Sequence, residues 1–522
     1  MMTHKPHEKK DSTIKKRFVV SFGANILRSG ISFITGILIA RWLGPDEFGR
    51  MAFLLASFVA MRALLDMASS SAFFTFLSQK QRSRRFINFY WTWVGLQFFF
   101  SLLLLGLFLP ESTIALIWKG EPRSLVVLAF IAAFMQNSVW SIASQMAEAQ
   151  RETIKVERLN ILIVLSHLSV VVALWWFGIL AIPLLFLAIA LEWGVAAAIG
   201  ARLYHGKLDF VSEKETAKDT DTVTSTFREF WHYCLPLIPY AWLGFAYEFA
   251  DRWMLQHWGG AEQQAYYAVA AQFAGVALLA TTSILRIFWK EIAEAHYRQD
   301  YKQMYLLYSK ASRFLFFTGA LVAGGLLPWT KEIINLTLGV AYADGAVTMM
   351  LMLLYPVHQS MGQIGGTMLF ATGKTKAYVL IGCFSAVLGI AVSYFMQAPS
   401  DALIPGLNLA SQGLAYKMVL VQIVSVNVMA FFISRIFNWK YDWSYQIVGL
   451  GLAVLAGWVA KLIIFSWVDS IVLIAMALTG ILYLSLMACI FYLLPWIAGM
   501  SRGQVNFYLR AIKTKIVSHS RF

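Results

Sequence analysis

Phe18-Val19-Val20-Ser21-Phe22-Gly23-Ala24-Asn25-Ile26-Leu27-Arg28-Ser29-Gly30-Ile31-Ser32-Phe33-Ile34-Thr35-Gly36-Ile37-Leu38-Ile39-Ala40 is almost wholly apolar, yet it holds a guanidinium, Arg28, near its middle. At 1.5 Å per residue such a run, about 23 residues, crosses a hydrocarbon core of ~30 Å. A secretory leader has an apolar core of only roughly 7–15 residues, so this stretch reads as a retained first span behind a basic tail, 1–17, that carries Lys5, Lys9, Lys10, Lys15, Lys16 and Arg17. The same character recurs at 51–78, 87–109, 124–147, 159–179, 181–203, 230–255, 264–289, 305–328, 346–371, 375–397, 406–434, 445–467 and 470–497. The pattern predicts an all-α integral membrane protein with about fourteen transmembrane helices.

Composition agrees. Hydrophobic residues make up 59% and charged residues 14% of the chain, against about 45–50% and about 25% in soluble domains, which excludes a water-soluble fold. Weak alternation and abundant Leu, Ala and Met favour helices over barrel strands. Cys234, Cys383 and Cys489 lie in apolar segments without metal or disulfide spacing.

An even number of spans places both termini on one side, and the basic residues choose it. About 33 Lys and Arg fall in tails and loops of one side, about 6 in the opposite loops and about 4 within spans, so both ends read as cytoplasmic. Lys80, Arg82, Arg84, Arg85, Arg298 and Lys302 are the clearest markers. The net charge of +15 is the topological basicity of a membrane protein and calls for no nucleic acid.

The longest polar stretch, Lys207 to Glu229, reads as a cytoplasmic linker. It divides a lobe of spans 1–6 (18–206) from a lobe of spans 7–12 (230–434); spans 13–14 (445–497) and a basic tail (498–522) follow. Ala40-Arg41-Trp42-Leu43 at the end of the first span is echoed by Asp251-Arg252-Trp253-Met254 at the end of the seventh, as expected of a repeated bundle.

An ionisable group near a span centre costs ~2.5–3.5 kcal/mol on insertion scales, so each one marks a partner, a cavity or a task. Ser21, Asn25, Arg28, Ser32 and Thr35 recur at helical spacing and make one polar stripe. Arg62 and Asp66 stand four apart in the second span, before Ser69 and Ser70, and can pair locally. Asn137, Ser141, Ser144 and Glu148 line the fourth span, and Glu192 sits inside the sixth. Glu248, Asp251 and Arg252 fall near the outer end of the seventh, and Lys417 well inside the twelfth. Glu248 with Arg252 also reads as a pair that holds the bundle together, and Lys461 reads as a snorkelling lysine.

Polar faces on several helices are satisfied together around a water-filled cavity. Arg28, Arg62 and Lys417 are the cationic candidates for such a lumen. Asp66, Glu192, Glu248, Asp251 and Arg252 are the counter-charge or coupling candidates, and Asn25, Ser32, Asn137 and Ser141 the polar face. Cations in a lumen suit an anionic cargo, and a guanidinium fork matches phosphate oxygens.

No cofactor or metal is expected. Gly373-Lys374-Thr375 lacks the glycine of a phosphate loop, since Met368 stands five positions earlier. Glu332 and Asp344 between 328 and 345 have no metal spacing. Asn335-Leu336-Thr337 is a bare sequon without weight.

The segment from Asn25 to Ala52, with Gly36-Ile37-Leu38-Ile39-Ala40-Arg41-Trp42-Leu43-Gly44-Pro45-Asp46-Glu47-Phe48-Gly49-Arg50 at its heart, resembles the opening of bacterial polysaccharide-unit flippases. These are the O-antigen and exopolysaccharide translocases of the multidrug/oligosaccharidyl-lipid/polysaccharide exporter superfamily. Asp251-Arg252-Trp253-Met254 and Ala371-Thr372-Gly373-Lys374 are similar to that family as well. The resemblance implies two six-helix lobes around a central cavity, two further C-terminal helices and alternating access. It implies a multi-pass protein of the bacterial inner membrane and an undecaprenyl-pyrophosphate-linked glycan as cargo. Its partners would be the bilayer and the polysaccharide polymerase and chain-length machinery.

Two alternatives stay close to this reading: a lipid II flippase, and a cation-coupled multidrug exporter of the same superfamily, which would rest more on lone acidic residues than on arginine. A membrane-embedded glycan polymerase or ligase is the enzyme alternative, and a structural scaffold the third class.

Overall fold

A computed structural model of the chain describes residues 6–79, 82–150, 152–205, 222–467, 471–507 and 510, with 6–19, 204–205, 279–284 and 286–287 described as backbone. The described residues are helices and short connections, without a strand. They form two compact units, Met1–Ala265 and Tyr266–Phe522.

In the first unit, α1 (Pro6–Asp66) makes two passes. Gly44 breaks it at φ 80° and ψ 170°, a conformation that a Cβ would penalise. Pro45 restarts the helix where its missing N–H is not needed. A Cβ on Gly49 would lie 1.7 Å from the Ala261 carbonyl oxygen, so only glycine fits there. Arg50 grips Glu121 with two hydrogen bonds, Nε to Oε1 at 2.7 Å and Nη2 to Oε2 at 2.8 Å, and Glu47 at 2.6 Å. The segment that carries the family resemblance is thus a turn, a close approach and a clamp. Arg50→Ala is expected to lower stability by about 1.5–3 kcal/mol, the loss of a charge-assisted bond to buried Glu121; thermal unfolding in detergent would show it, and an unchanged midpoint would refute it.

A second break was not expected. α1 ends at Asp66, Met67 and Ala68 adopt φ 46° and 65°, and α2 (Ser69–Gln79) resumes the path, so the anticipated span 51–78 is discontinuous. Asp66 caps α2: Oδ1 accepts from the Ser70 amide at 2.9 Å and from Ser69 Oγ at 3.1 Å, and Oδ2 accepts from Ser70 Oγ at 2.8 Å.

The unit continues with α3 (Arg84–Leu103), α4 (Glu111–Ile117), α5 (Arg123–Phe134), α6 (Trp140–Ala149), α7 (Thr153–Trp176) and α8 (Ile182–His205). The turn Met135–Val139 is a π-helix joining α5 to α6. Then come α9 (Val223–Cys234) and α10 (Ile238–Met254), separated by a 3-10 turn at Leu235–Leu237. Pro236 and Pro239 remove two amides there. α9 therefore begins within the stretch read as linker, and the expected span 230–255 is two helices. α1 packs on α5, α7 and α10.

The second unit is reached along α11 (Gly260–Tyr297) and holds α12 (Tyr301–Leu326), α13 (Thr330–Thr337), α14 (Ala346–Met352), α15 (Tyr355–Ala371), α16 (Thr375–Gln397), α17 (Ala410–Ile436), α18 (Ser444–Phe465) and α19 (Val472–Leu493). α12 packs on α15 and α18, and α17 on α15 and α16. Ile292, Leu315, Ile364, Met368 and Ile433 centre its core. α18 and α19 dock on α12 through small residues: a Cβ on Gly457 would lie 1.9 Å from the Gly324 oxygen, and Tyr483 donates to the Leu321 carbonyl at 2.7 Å. Lys461, read as a snorkelling lysine, has protein partners. Its ammonium bonds Glu332 at 2.6 Å and the Pro328 carbonyl at 2.7 Å, and stands 4.3 Å from the Trp329 ring centre. Gly373, at φ 70°, closes α15 in an ordinary helix-ending turn.

Among the described residues, eleven segments are long and apolar enough to cross a membrane. One of them, Val20–Asp66, makes two passes around Gly44, and α10 and α11 occupy the positions expected of spans seven and eight. The architecture is the expected multi-pass helical one, with about fourteen passes.

Candidate functional site

The polar stripe of the first span does not act as one surface. Ser21 Oγ donates to Glu157 Oε1 on α7 at 3.2 Å, and Arg28 Nη2 donates to Asn25 Oδ1 at 2.6 Å. Thr35 Oγ1 turns back to the Ile31 carbonyl at 2.8 Å, and Ser32 is exposed. Arg28 thus keeps most of its fork unused by Asn25, one turn away and half-buried like itself.

Arg62 is more telling. It is half-buried, and among the described residues no hydrogen bond or ion pair reaches it. The local pair with Asp66 does not form, because both Asp66 oxygens serve the start of α2. A guanidinium with five donors and no protein acceptor, inside a span, is the arrangement an anionic ligand would complete.

Asn137 lies in the π-turn and donates to the Ala133 carbonyl at 2.9 Å; Ser141 accepts from Gln145 Nε2 at 3.3 Å. Both are half-buried and satisfied along their own helix. Glu192 pairs with His167 across α7 and α8, Oε2 to Nδ1 at 2.8 Å, with side chains 11% and 19% exposed. The other Glu192 oxygen, Oε1, is buried without a hydrogen bond. His167 escaped the sequence reading, although a histidine mid-span carries the same signal as the glutamate.

On α10, Asp251 is buried, Arg252 half-buried, and Glu248 exposed without an ion pair. No hydrogen bond joins Glu248 to Arg252 among the described residues. Lys417 is fully buried inside the second unit. It therefore does not border an open lumen in this structure. Outside the spans, Lys119 Nζ meets His257 Nδ1 at 2.7 Å. Burial, and then the Lys119 charge, lower the His257 pKa, and burial lowers that of Lys119.

Below Arg62, the break at Asp66–Ser69 borders a cavity of about 340 Å³ within the first unit, walled largely by aromatic rings of α3 and α9. A discontinuous helix, a guanidinium without a described partner and a half-buried His–Glu pair in one bundle are features of membrane transporters.

Solved structures share the fold. The inward closed lipid II flippase MurJ aligns with a TM-score of 0.67 at 13% identity, over 91% of this chain and 99% of that one. An inward-facing multidrug resistance MATE family transporter of the MOP superfamily aligns at 0.57 and 13% identity, over 81% and 99%. A MOP superfamily transporter from Pyrococcus furiosus aligns at 0.55 and 12%, over 81% and 96%. At such identities the likeness establishes the fold alone, the one these three structures share. Among curated proteins none matches in sequence. Residues 14–288 match the polysaccharide biosynthesis protein family, and the chain belongs to it.

Proposed function

We propose that this protein carries an undecaprenyl-pyrophosphate-linked oligosaccharide from the cytoplasmic to the periplasmic leaflet of a bacterial inner membrane, with both termini cytoplasmic, by alternating access. The observation that carries the reading is Arg62, a guanidinium inside a span whose donors meet no described residue. A pyrophosphate is the acceptor such a group fits. Arg28 stands on the same helix as a second cation, and membership of a polysaccharide biosynthesis family supports a glycan on the phosphate. Lys417 belongs to the interior of the second unit in this scheme, and the His167–Glu192 pair is the candidate for energetic coupling. The product would pass to the polymerase and chain-length machinery.

The test is translocation in sealed proteoliposomes. A labelled undecaprenyl-pyrophosphate oligosaccharide should become accessible to an impermeant glycosidase in a time- and protein-dependent way. Transport of lipid II or of a cationic dye, with the oligosaccharide carrier left in place, would overturn the proposal in favour of the neighbouring classes of cargo.

A further inference from the structure

α9 presents three faces. Thr226, Phe230 and Cys234 are buried, and the Phe230 ring meets those of Phe76, Phe86, Phe89 and Tyr90 with centroids 5.4 to 5.8 Å away. Val223, Phe227, Trp231 and Leu235, each four residues from the last, are 66%, 51%, 48% and 49% exposed. Thr224, Arg228 and His232 form a third, polar strip beside them. A helix facing water would not expose Phe227 and Trp231 in line, and one buried in lipid would not expose Arg228 and His232. The combination is that of a helix lying at a membrane boundary, apolar stripe toward the tails and charged strip toward the headgroups.

Behind the stripe lies the 340 Å³ cavity, with Phe89 and Trp93 of α3 facing Phe227, Phe230 and Trp231 of α9. Its volume falls in the roughly 300–1,000 Å³ range of ligand sites. Of the polar groups on its wall, Asp66 and Ser69 are bonded to each other at 3.1 Å, and Trp93 Nε1 is the buried donor left without a hydrogen bond, so the wall is apolar apart from one indole N–H. Phe227 and Trp231 belong both to the exposed stripe and to the wall, so the cavity adjoins the lipid-facing side of α9.

We propose that α9 lies along the cytoplasmic leaflet and that the cavity behind it seats the polyprenyl chain of the lipid-linked cargo, with Arg228 and His232 at headgroup level. This rests on the flippase reading and on the side assigned by the basic residues. A methyl-branched, unsaturated chain packs against ring faces and edges from many directions. Its methyl branches give it contacts to several rings at once, which a straight acyl chain lacks.

The full chain would be reconstituted in phosphatidylethanolamine–phosphatidylglycerol vesicles with a polyprenyl phosphate bearing a diazirine in its chain, or with a phospholipid bearing the same group. Labelled peptides would then be mapped, and glycan translocation measured on the same vesicles. Expected is labelling of the Phe89–Trp93 and Phe227–Trp231 segments by the polyprenyl probe, about tenfold over that of lipid-facing α19, with no such preference for the phospholipid. Trp231→Ala, at an exposed position, should lower that labelling severalfold. Even labelling of all helices, or equal preference by the phospholipid, overturns the cavity proposal, and does so whether or not translocation occurs. Selective labelling without translocation supports the cavity and removes the flippase reading.

Discussion

Arg82→Ala is expected to release α9 from the first unit and to lower stability by about 3 kcal/mol. The Arg82 side chain is 1% exposed, and its fork holds Glu229 of α9 at 2.8 and 2.6 Å. Its Nε donates to the Phe76 carbonyl at 3.2 Å, and the guanidinium lies between the Phe76 and Phe86 rings, 5.3 and 4.6 Å from their centres. Removing it opens a void among aromatics and strips Glu229 of both bonds. Breaking a buried pair costs about 3–5 kcal/mol, and the low end applies because Glu229 is 36% exposed and water can reach it. Arg82→Lys keeps the charge and loses the fork, so it should restore less than half. Cys234, buried on the inner face of α9, offers a local readout. In a Cys383→Ser, Cys489→Ser background its reaction with a maleimide should be slow in the parent and fast in Arg82→Ala. Equal rates would show that the clamp does not hold the helix.

The same arginine shows what a sequence reveals and what it hides. Lipid demands apolar runs of fixed length, and so the multi-pass helical architecture is legible. Arg82 counted correctly as a basic residue after the second span, but its burial depends on Glu229, which lies far along the chain in what reads as a solvated linker. Pairings of that range leave no local trace. Lys461 is a similar case: on its own helix it looks like a snorkelling lysine, and only the fold brings Glu332 to it.

The break at Met67–Ala68 had a trace that a stronger pattern covered. Asp66 before Ser69 and Ser70 is a helix-start signal, whereas Arg62 and Asp66 at four-residue spacing suggest one unbroken helix. Neither Gly nor Pro marks the interruption, so cap chemistry and tertiary packing set it. Gly44 and Gly49 were recognised through family resemblance, and the structure gives their cause as a positive φ and the nearness of Ala261. The candidate site was legible only as a set of misplaced charges. Which of them are satisfied could not be read, because satisfaction is a property of neighbours.

That distinction orders the three cationic candidates and yields the last prediction. Arg62→Ala is expected to abolish most translocation while the protein stays folded, since no bond to a described residue is lost. A charge-assisted contact to pyrophosphate contributes about 1.5–3 kcal/mol, so the rate at limiting cargo should fall roughly 10- to 150-fold. Arg62→Lys should recover part of it, as a point charge without the fork. Arg28→Ala should act in the same direction and less strongly, because Arg28 already shares one donor with Asn25. Lys417→Ala should behave differently: a fully buried lysine is part of the packing of the second unit, so its loss should appear first in protein level and thermal stability. Membrane abundance measured beside translocation separates the two patterns. Normal transport by Arg62→Ala would remove the cation on which the anionic-cargo reading stands, and reduced abundance in step with reduced transport would make Arg62 a residue of the bundle and not of its cargo.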